Sequence, residues 1–182
     1  MEPSAHISPA QSAISDEVVV RIRGLHKAFG SNHVLRGFDV DLHRGENVMV
    51  LGKSGSGKSV LIKCIIGLLP TDAGTIEVLG HDILALRHEA LDRMRMRIGF
   101  LFQSNALYDS MTVRENLEFP MRRHLSELSA DERMDRVVTA LTDVGLAHTM
   151  DLMPSELSGG MRKRVGLART LIMRPEIVLY DE

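Results

Sequence analysis

One glycine-rich segment combines residue types and a spacing that suit phosphate binding. The segment, named here the phosphate loop, consists of Gly52, Lys53, Ser54, Gly55, Ser56, Gly57, Lys58 and Ser59. It fits the pattern G-x-x-x-x-G-K-[ST], in which glycines let backbone N–H groups turn onto phosphate oxygens and the following helix directs its positive dipole end at them. Lys58 would reach the β- and γ-phosphates, and Ser59 would offer its hydroxyl to Mg²⁺. A plain turn is the alternative, but it requires neither the apolar run before the loop nor the helical pattern after it.

Two adjacent acids, Asp181 and Glu182, follow the apolar run Ile177–Tyr180. In P-loop enzymes an acid at the carboxyl end of a strand holds Mg²⁺, and a second carboxylate can orient or deprotonate the attacking water. Adjacent acids at a strand end can also be plain solvated surface. The phosphate loop in the same chain favours the catalytic interpretation.

A second glycine-rich segment covers residues 157–161, with the sequence Leu-Ser-Gly-Gly-Met. Ser158 is placed to cap a helix, and the two glycines would let another molecule approach the exposed N–H groups closely. On spacing alone, an ordinary serine-capped helix explains the segment better than an anion site does. The predicted apolar face of this helix comprises Met161, Val165, Ala168, Leu171 and Ile172.

The elements that position these residues combine two kinds of strand. Apolar and polar residues alternate at residues 18–22, 38–42 and 75–78, as in half-exposed antiparallel strands. Residues 47–51, 98–102 and 177–180 are short and, apart from Asn47, continuously apolar, as in parallel strands buried on both faces. The sequence therefore predicts a small antiparallel sheet beside a parallel α/β core.

Helices are predicted on both sides of the second parallel strand. Residues 58–69 are nearly all apolar, so this helix would be covered on most sides. Ser129 and Glu132 have the spacing of a capping box, and apolar residues recur every three or four positions up to Val144. Between Gln103 and Ser158 no buried strand is indicated, which predicts a helical insertion.

The composition indicates an ordinary globular domain. The 182 residues are 44% hydrophobic and 25% charged, and the formal net charge of -2 gives no argument for nucleic acid. The single cysteine, Cys64, cannot form an internal disulfide and is expected to be a small buried residue. No apolar run reaches the roughly 18 residues of a membrane span. Residues 1–17 resemble a disordered tail rather than a secretory signal, which leaves one domain over residues 18–182.

The motifs together resemble the ATP-binding-cassette (ABC) ATPases. The phosphate loop, Gln103, residues 157–161 and the final acid pair stand in the order and rough spacing of that family, over about residues 18–182. The resemblance implies an α/β P-loop NTPase with a parallel core sheet, a small antiparallel β subdomain and a helical subdomain at about residues 104–160. It also implies an ATPase that uses ATP and Mg²⁺ to energise a transporter.

Roles for individual residues follow from this resemblance. The ATP site would comprise the phosphate loop, Val60, and Phe29, which occupies the place of an adenine-stacking aromatic that is commonly tyrosine. Gln103 would contact Mg²⁺ and the attacking water, Ser59 and Asp181 would complete the Mg²⁺ ligands, and Glu182 would act as the base. The implied signature comprises Ser158, Gly159, Gly160 and Met161. It would close over ATP held by a second copy, so that two chains arranged head to tail enclose two ATP molecules.

A finer resemblance is to the ATPase subunits of Mla- and Mce-type lipid transporters. It rests on residues 101–108 and 153–161, and above all on Met161, where cassettes generally have glutamine. It implies a position on the cytoplasmic face of the inner membrane, through a permease whose short helix docks in a groove beside Gln103. Met111, Phe119 and Met121 could line that groove, or they could be core residues of the helical subdomain.

Other interpretations remain for parts of the chain. A soluble cassette protein acting on DNA or the ribosome would usually carry coiled coils or paired cassettes, and a small-molecule kinase would not need residues 157–161. Arg162, Lys163 and Arg164 suggest a solvated helix face more than a nucleic-acid or lipid surface. The family resemblance implies a further strand beyond Glu182, between those of residues 47–51 and 177–180. These 182 residues alone are therefore expected to be unstable or aggregation-prone, and to be inactive.

Overall fold

The computed structural model describes residues 15–101 and 107–181, and the chain divides into two compact units, residues 1–86 and 87–182. Gln103, Glu182 and most of the predicted tail lie outside the described residues. The last residues of that predicted tail make specific contacts with Arg44. The backbone N–H of Ser15 donates to the Arg44 carbonyl at 3.3 Å, and the Arg44 guanidinium lies 2.6 Å from the Glu17 carboxylate.

The first unit contains a four-stranded antiparallel sheet, which confirms the strands predicted from alternation. Its strands are β1 (Val18–Phe29), β2 (Asn32–His43), β3 (Ala73–Val78) and β4 (His81–Asp82), in the order β2-β1-β3-β4. Ile22 and Ile76 pair across β1 and β3 and are fully buried. Arg21 and Arg23, which alternate with the buried positions, instead form ion pairs with Asp41 of β2. The alternation therefore divides the sheet into an apolar face and a charged face.

Helix α1 (Lys58–Ile65) directly follows the phosphate loop but is shorter than predicted. Gly67 has a φ of 66°, and the N–H groups of Leu68 and Leu69 both donate to the Lys63 carbonyl. This left-handed glycine ends the helix, because such a turn bonds the last carbonyls instead of continuing the helical ladder. Leu61, Cys64 and Ile65 are buried, so the expectation for the cysteine is confirmed.

The prediction of a buried strand at residues 47–51 is wrong. These residues have no strand assignment, and Met49 and Leu51 are 80% and 82% exposed. A continuous apolar run forms a buried parallel strand only if neighbouring strands supply its hydrogen-bond ladder. Within the described part of the chain, no strand pairs with this segment.

The second unit contains a parallel pair of strands and most of the helices. Its elements are α2 (His88–Met96), β5 (Ile98–Leu101), α3 (Val113–His124), α4 (Ala130–Asp143), α5 (Gly159–Leu171) and β6 (Ile177–Tyr180). β5 and β6 pair in parallel from Ile98↔Ile177 to Leu101↔Tyr180, as predicted. β6 is less buried than predicted, since Val178 and Tyr180 are 44% and 51% exposed. Its only ladder partner among the described residues is β5.

The helices α3, α4 and α5 share one apolar core. Its buried residues are Val113, Leu117, Met121, Val137, Leu141, Leu146, Leu157, Val165, Ala168 and Ile172. Met121 is fully buried, so the suggestion that it lines a docking groove is wrong and the core alternative holds for it. Leu171 is 43% exposed, so it does not belong to the buried face predicted for α5. None of the described helices is both long and apolar enough to span a membrane.

Two capping boxes fix the starts of α3 and α4. Ser129 Oγ accepts the N–H of Glu132 at 3.2 Å, and the Glu132 carboxylate accepts the N–H of Ser129 at 2.8 Å, which confirms the predicted box. Thr112 and Glu115 exchange the same two bonds at α3. In both boxes the backbone N–H bond is the largest cause of a glutamate pKa below its usual value.

Candidate nucleotide-binding site

The phosphate loop ends at a helix start that has no side-chain cap. The N-cap residue of α1 is Gly57, with a φ of 97°, and the first turn contains no acidic residue. The first N–H groups of a helix lack helical partners, and the dipole places partial positive charge there. The start of α1 therefore offers N–H donors and positive potential without the carboxylate that occupies the starts of α3 and α4.

Two glycines of the phosphate loop lie where an added side chain would meet close neighbours. A Cβ at Gly52 would lie 2.4 Å from Ser56 Oγ, and one at Gly57 would lie 2.6 Å from Val34 Cγ1. The positive φ of Gly57 adds a backbone conformation that residues with a side chain rarely adopt. The loop shape therefore requires glycine at position 57, whereas at position 52 a side chain would force the Ser56 side chain to shift.

Lys58 extends its side chain back across the phosphate loop. Its Nζ donates to the carbonyl of Gly52 at 2.9 Å and to the carbonyl of Lys53 at 3.2 Å. An ammonium group has three donors, so a further donor remains for a phosphate oxygen. The positive charge is thus held over the loop by the loop's own carbonyls. Ser59 and Val60 follow as the second and third residues of α1.

Phe29 lies at the end of the β1–β2 hairpin that packs against the phosphate loop. It is 49% exposed and pairs with Asn32, the first residue of β2. Val34, which the Gly57 backbone approaches so closely, lies two residues further along β2. A strand advances only about 3.3 Å per residue. Phe29 and Val34 therefore belong to the same short end of the hairpin, and this end packs against the phosphate loop.

Asp181 follows β6 at the carboxyl end of the parallel pair. Its N–H donates to the carbonyl of Leu101, the last residue of β5, at 3.2 Å. The two strands therefore end side by side, and residues that follow them start from the same edge. Gln103 and Glu182, which come next in sequence, lie outside the described residues, so their catalytic roles remain predictions.

The proposed magnesium ligands have suitable chemistry. Ser59 would supply a hydroxyl and Asp181 a carboxylate, and Mg²⁺ prefers oxygen ligands that are completed by water and phosphate. Among residues 15–101 and 107–181 there is no cluster of three His, Cys, Asp or Glu side chains that could hold a metal. Ser59 belongs to the first unit and Asp181 to the second, so each side chain fits Mg²⁺ as an individual oxygen ligand.

The residues of the predicted signature form the start of α5. Ser158 Oγ accepts the N–H of Met161 at 3.3 Å, as predicted for its cap. Gly159 and Gly160 are exposed, and a Cβ at either position would meet nothing within 4 Å. Met161 is partly buried against the helical core. The two glycines therefore present an open backbone surface.

Asn116 is a buried polar residue that the sequence interpretation missed. Its Oδ1 accepts the N–H of Tyr108, and its Nδ2 donates to the carbonyls of Tyr108, Met111 and Thr112, at 2.7 to 3.0 Å. It therefore holds the turn that leads into α3. The spacing of Thr112 and Glu115 as a capping box was the available signal that a fixed turn precedes this helix.

Comparisons with known proteins agree with this architecture. The chain is 42% identical over 165 residues to the probable ribonucleotide transport ATP-binding protein mkl of Mycobacterium leprae, covering 91% of this chain and 47% of that protein. It is 39% identical to the methionine import ATP-binding protein MetN of Rhizobium etli, covering 98% and 48%. It is 40% identical to the protein trigalactosyldiacylglycerol 3, chloroplastic, of Arabidopsis thaliana, covering 91% and 50%. The chain thus spans about half the length of these curated relatives.

Two solved structures have the same fold. The first is cbiO1 from Clostridium perfringens, part of the ABC transporter complex cbiONQ, with a TM-score of 0.82, 29% identity, and 92% of this chain and 66% of that chain covered. The second is a dimeric ATP-binding cassette in a post-hydrolysis state bound to ADP and Pi, with a TM-score of 0.81, 30% identity, and 90% and 73% covered. These matches confirm the predicted P-loop ABC ATPase fold. The ABC transporter family model matches residues 35–182, and the chain belongs to that family.

Proposed function

We propose that this chain is the ATP-binding and hydrolysing subunit of a membrane ABC transporter. One observation carries the proposal, namely that the uncapped start of α1 and the Lys58 ammonium meet at the glycine-rich phosphate loop. Phosphoryl transfer needs mainly positioning and charge stabilisation, which backbone N–H groups and a lysine provide. The ATP site comprises the phosphate loop, Val60 and Phe29, whose exposed ring stacks on adenine.

The residues needed for hydrolysis would come from two copies of the chain. Bound Mg²⁺ would be held by Ser59, Gln103 and Asp181, and it supplies positive charge to the phosphate oxygens. Lys58 holds its ammonium over the loop, while Glu182 orients or deprotonates the attacking water with the help of Gln103. In a head-to-tail dimer, Ser158, Gly159, Gly160 and Met161 of one chain approach the ATP held by the other. The dimeric neighbour bound to ADP and Pi supports this arrangement.

We further propose a permease partner at the cytoplasmic face of the inner membrane. The second unit has a groove of about 350 Å³ that lies between β5 and the ends of α2, α3 and α5. Its lining combines apolar residues, among them Ile98, Phe100 and Met173, with the basic residues Arg95, Arg123 and His124, and it also includes Asp92, which pairs with Arg95. A short amphipathic helix with an acidic residue would complement both features. The groove expected beside Gln103 lies outside the described residues; of its three suggested lining residues Met121 is excluded by its burial, while Met111 and Phe119 are partly exposed.

Lipid is the proposed cargo. The support is the likeness of residues 101–108 and 153–161 to Mla- and Mce-type ATPases, and a relative whose name is that of a glycolipid. Relatives named for methionine import and for ribonucleotide transport define the competing cargos. The relatives named for transport do not favour the alternative of a cassette that acts on DNA or the ribosome.

The experiment is reconstitution of the intact protein with its co-purifying permease in vesicles, followed by ATP-driven movement of a labelled phospholipid. The matched control carries Glu182→Gln, which should bind ATP but lose turnover and transport. Movement of phospholipid only with wild-type protein and ATP would support the proposal. Transport of methionine or a ribonucleotide instead would contradict the lipid cargo and leave the ATPase role intact.

A further inference from the structure

A buried lysine lies beside the exposed ring of Phe29. Lys27 precedes it by two residues in β1, and the Lys27 side chain is only 10% exposed. Its Nζ lies 5.4 Å from the centre of the Phe29 ring, within the distance at which an aromatic face attracts a cation. Burying an ammonium group is costly unless its charge is paired. The contacts that offset this cost therefore indicate what the lysine does.

Asp72 pairs with Lys27 and also fixes the strand that ends at Phe29. One carboxylate oxygen lies 3.0 Å from Lys27 Nζ, and the other accepts the N–H of Ala28 at 2.6 Å. The N–H of Asp72 donates to the carbonyl of His26 at 3.0 Å. The bond from Ala28, and next the bond from Lys27, hold the pKa of the Asp72 carboxyl below its usual value. Asp72 is thus bonded to three consecutive residues directly before Phe29.

The Lys27 ammonium affects both the orientation of the Phe29 ring and the distribution of its π electrons. With a cation against one face, Phe29 has only its other face for a planar ligand. Two stacked aromatic faces repel each other through their negative quadrupoles, and a cation on the far side withdraws that electron density. The ring is therefore better suited to accept a nucleobase than an isolated exposed phenylalanine would be.

We propose that Lys27 and Asp72 are positioning residues that hold the Phe29 ring as a platform for the nucleobase. The inference rests on the proposed role of Phe29 in ATP binding. It adds two residues that do not touch the nucleotide and act through the ring. A register shift between Ile22 and Leu25 interrupts the alternation in β1, so that Lys27 occupies a buried position although Arg21 and Arg23 are exposed.

The test compares a ligand that has a base with one that lacks it. ATP and inorganic tripolyphosphate are titrated calorimetrically into the intact protein and into Lys27→Met, Phe29→Ala and the double variant. We expect Lys27→Met to weaken ATP binding about three- to tenfold, leave tripolyphosphate binding unchanged, and add nothing in the Phe29→Ala background. Arg23 lies in the same strand as Lys27 and forms an ion pair with Asp41 of β2. Arg23→Met is therefore the matched control and should change neither affinity.

The outcomes separate this inference from the proposed function. Unchanged ATP affinity in Lys27→Met, with weakened binding in Phe29→Ala, would overturn the role of the lysine alone. Full ATP affinity in Phe29→Ala would overturn the stacking role of Phe29 itself. Equal losses for ATP and tripolyphosphate would indicate a general folding defect and also overturn the inference. If Lys27→Met does not fold, Asp72→Asn provides the same test, with the same base-dependent loss expected.

Discussion

Two helices of this protein begin at glycine-rich segments, but the glycines meet different surroundings at the two starts. At α1, a Cβ on Gly57 would lie 2.6 Å from Val34, and the φ of Gly57 is 97°. At α5, a Cβ on Gly159 or Gly160 would meet nothing within 4 Å. The packing of the chain itself therefore requires glycine at α1, whereas no contact within the described chain requires it at α5.

The two helix starts also differ in whether a side chain caps them. α1 has no side-chain cap, so its first N–H groups suit an external anion. α5 is capped by Ser158, which already accepts the N–H of Met161. Within one chain, α1 therefore already offers an anion its first N–H groups and the Lys58 ammonium. The open glycines of α5 would instead gain their purpose only when another molecule approaches them, as in the proposed dimer.

The largest expected effect is that of Gly57→Ala. Backbone strain at this φ costs about 1–3 kcal/mol, and overpacking against Val34 adds roughly 1–3 kcal/mol. We expect urea unfolding to report a free energy of unfolding that is lower by the sum of these two costs. The variant should also lose ATP binding. Gly160→Ala is the matched control, since the same substitution in open space should leave the free energy of unfolding unchanged or slightly raised. Similar destabilisation by the two substitutions would remove the difference drawn between the helix starts.

A smaller effect is expected from the two serine caps. Ser158→Ala and Ser129→Ala each remove one N-cap bond, so each should lower the free energy of unfolding by about 1 kcal/mol. Only Ser158→Ala should also reduce ATP turnover, because Ser129 lies at α4, outside the proposed ATP site. Turnover assays on the intact protein check this. An equal loss of turnover in both variants would mean that α5 contributes through stability alone.

The smallest effect is the part of the pH dependence that comes from the capping boxes of α3 and α4. Their glutamates, Glu115 and Glu132, have pKa values below the ordinary 4.5 in the folded protein. Their contribution is therefore fully present above that pH and is lost as the pH falls through the lowered folded values. Unfolding measured from pH 7 to pH 3 should show this decline, and Glu132→Gln should make it shallower. An unchanged profile in Glu132→Gln would show that the box contributes nothing to acid sensitivity.

Local patterns predicted much of the architecture. Alternation identified the antiparallel strands, and single residues such as Ser129 and Ser158 marked helix starts, because these effects act over a few neighbouring positions. The apolar run at residues 47–51 misled for a physical reason. Hydrophobicity measures how favourable burial would be, but it does not reveal whether a neighbouring strand is present to provide it.

The remaining features depend on contacts between distant parts of the chain. Lys27 and Asp72 are separated by 45 positions, so no local pattern could pair them. Asn116 is fully buried because its side chain bonds to the backbone of the preceding turn, and these bonds cannot be predicted from the residue type alone. Met121 could have been assigned to the core, since it follows Leu117 by four residues on the same helical face.

Calorimetric titration of Mg-ATP into the intact protein tests the phosphate loop most directly. Lys58→Ala removes the ammonium that the loop carbonyls hold, and a charge-assisted hydrogen bond is worth about 1.5–3 kcal/mol. The expected result is therefore a loss of affinity of roughly 10- to 100-fold. Lys63→Ala, in the same helix but outside the loop, should bind like wild type. If Lys58→Ala binds Mg-ATP as tightly as Lys63→Ala does, the phosphate loop is not the nucleotide site.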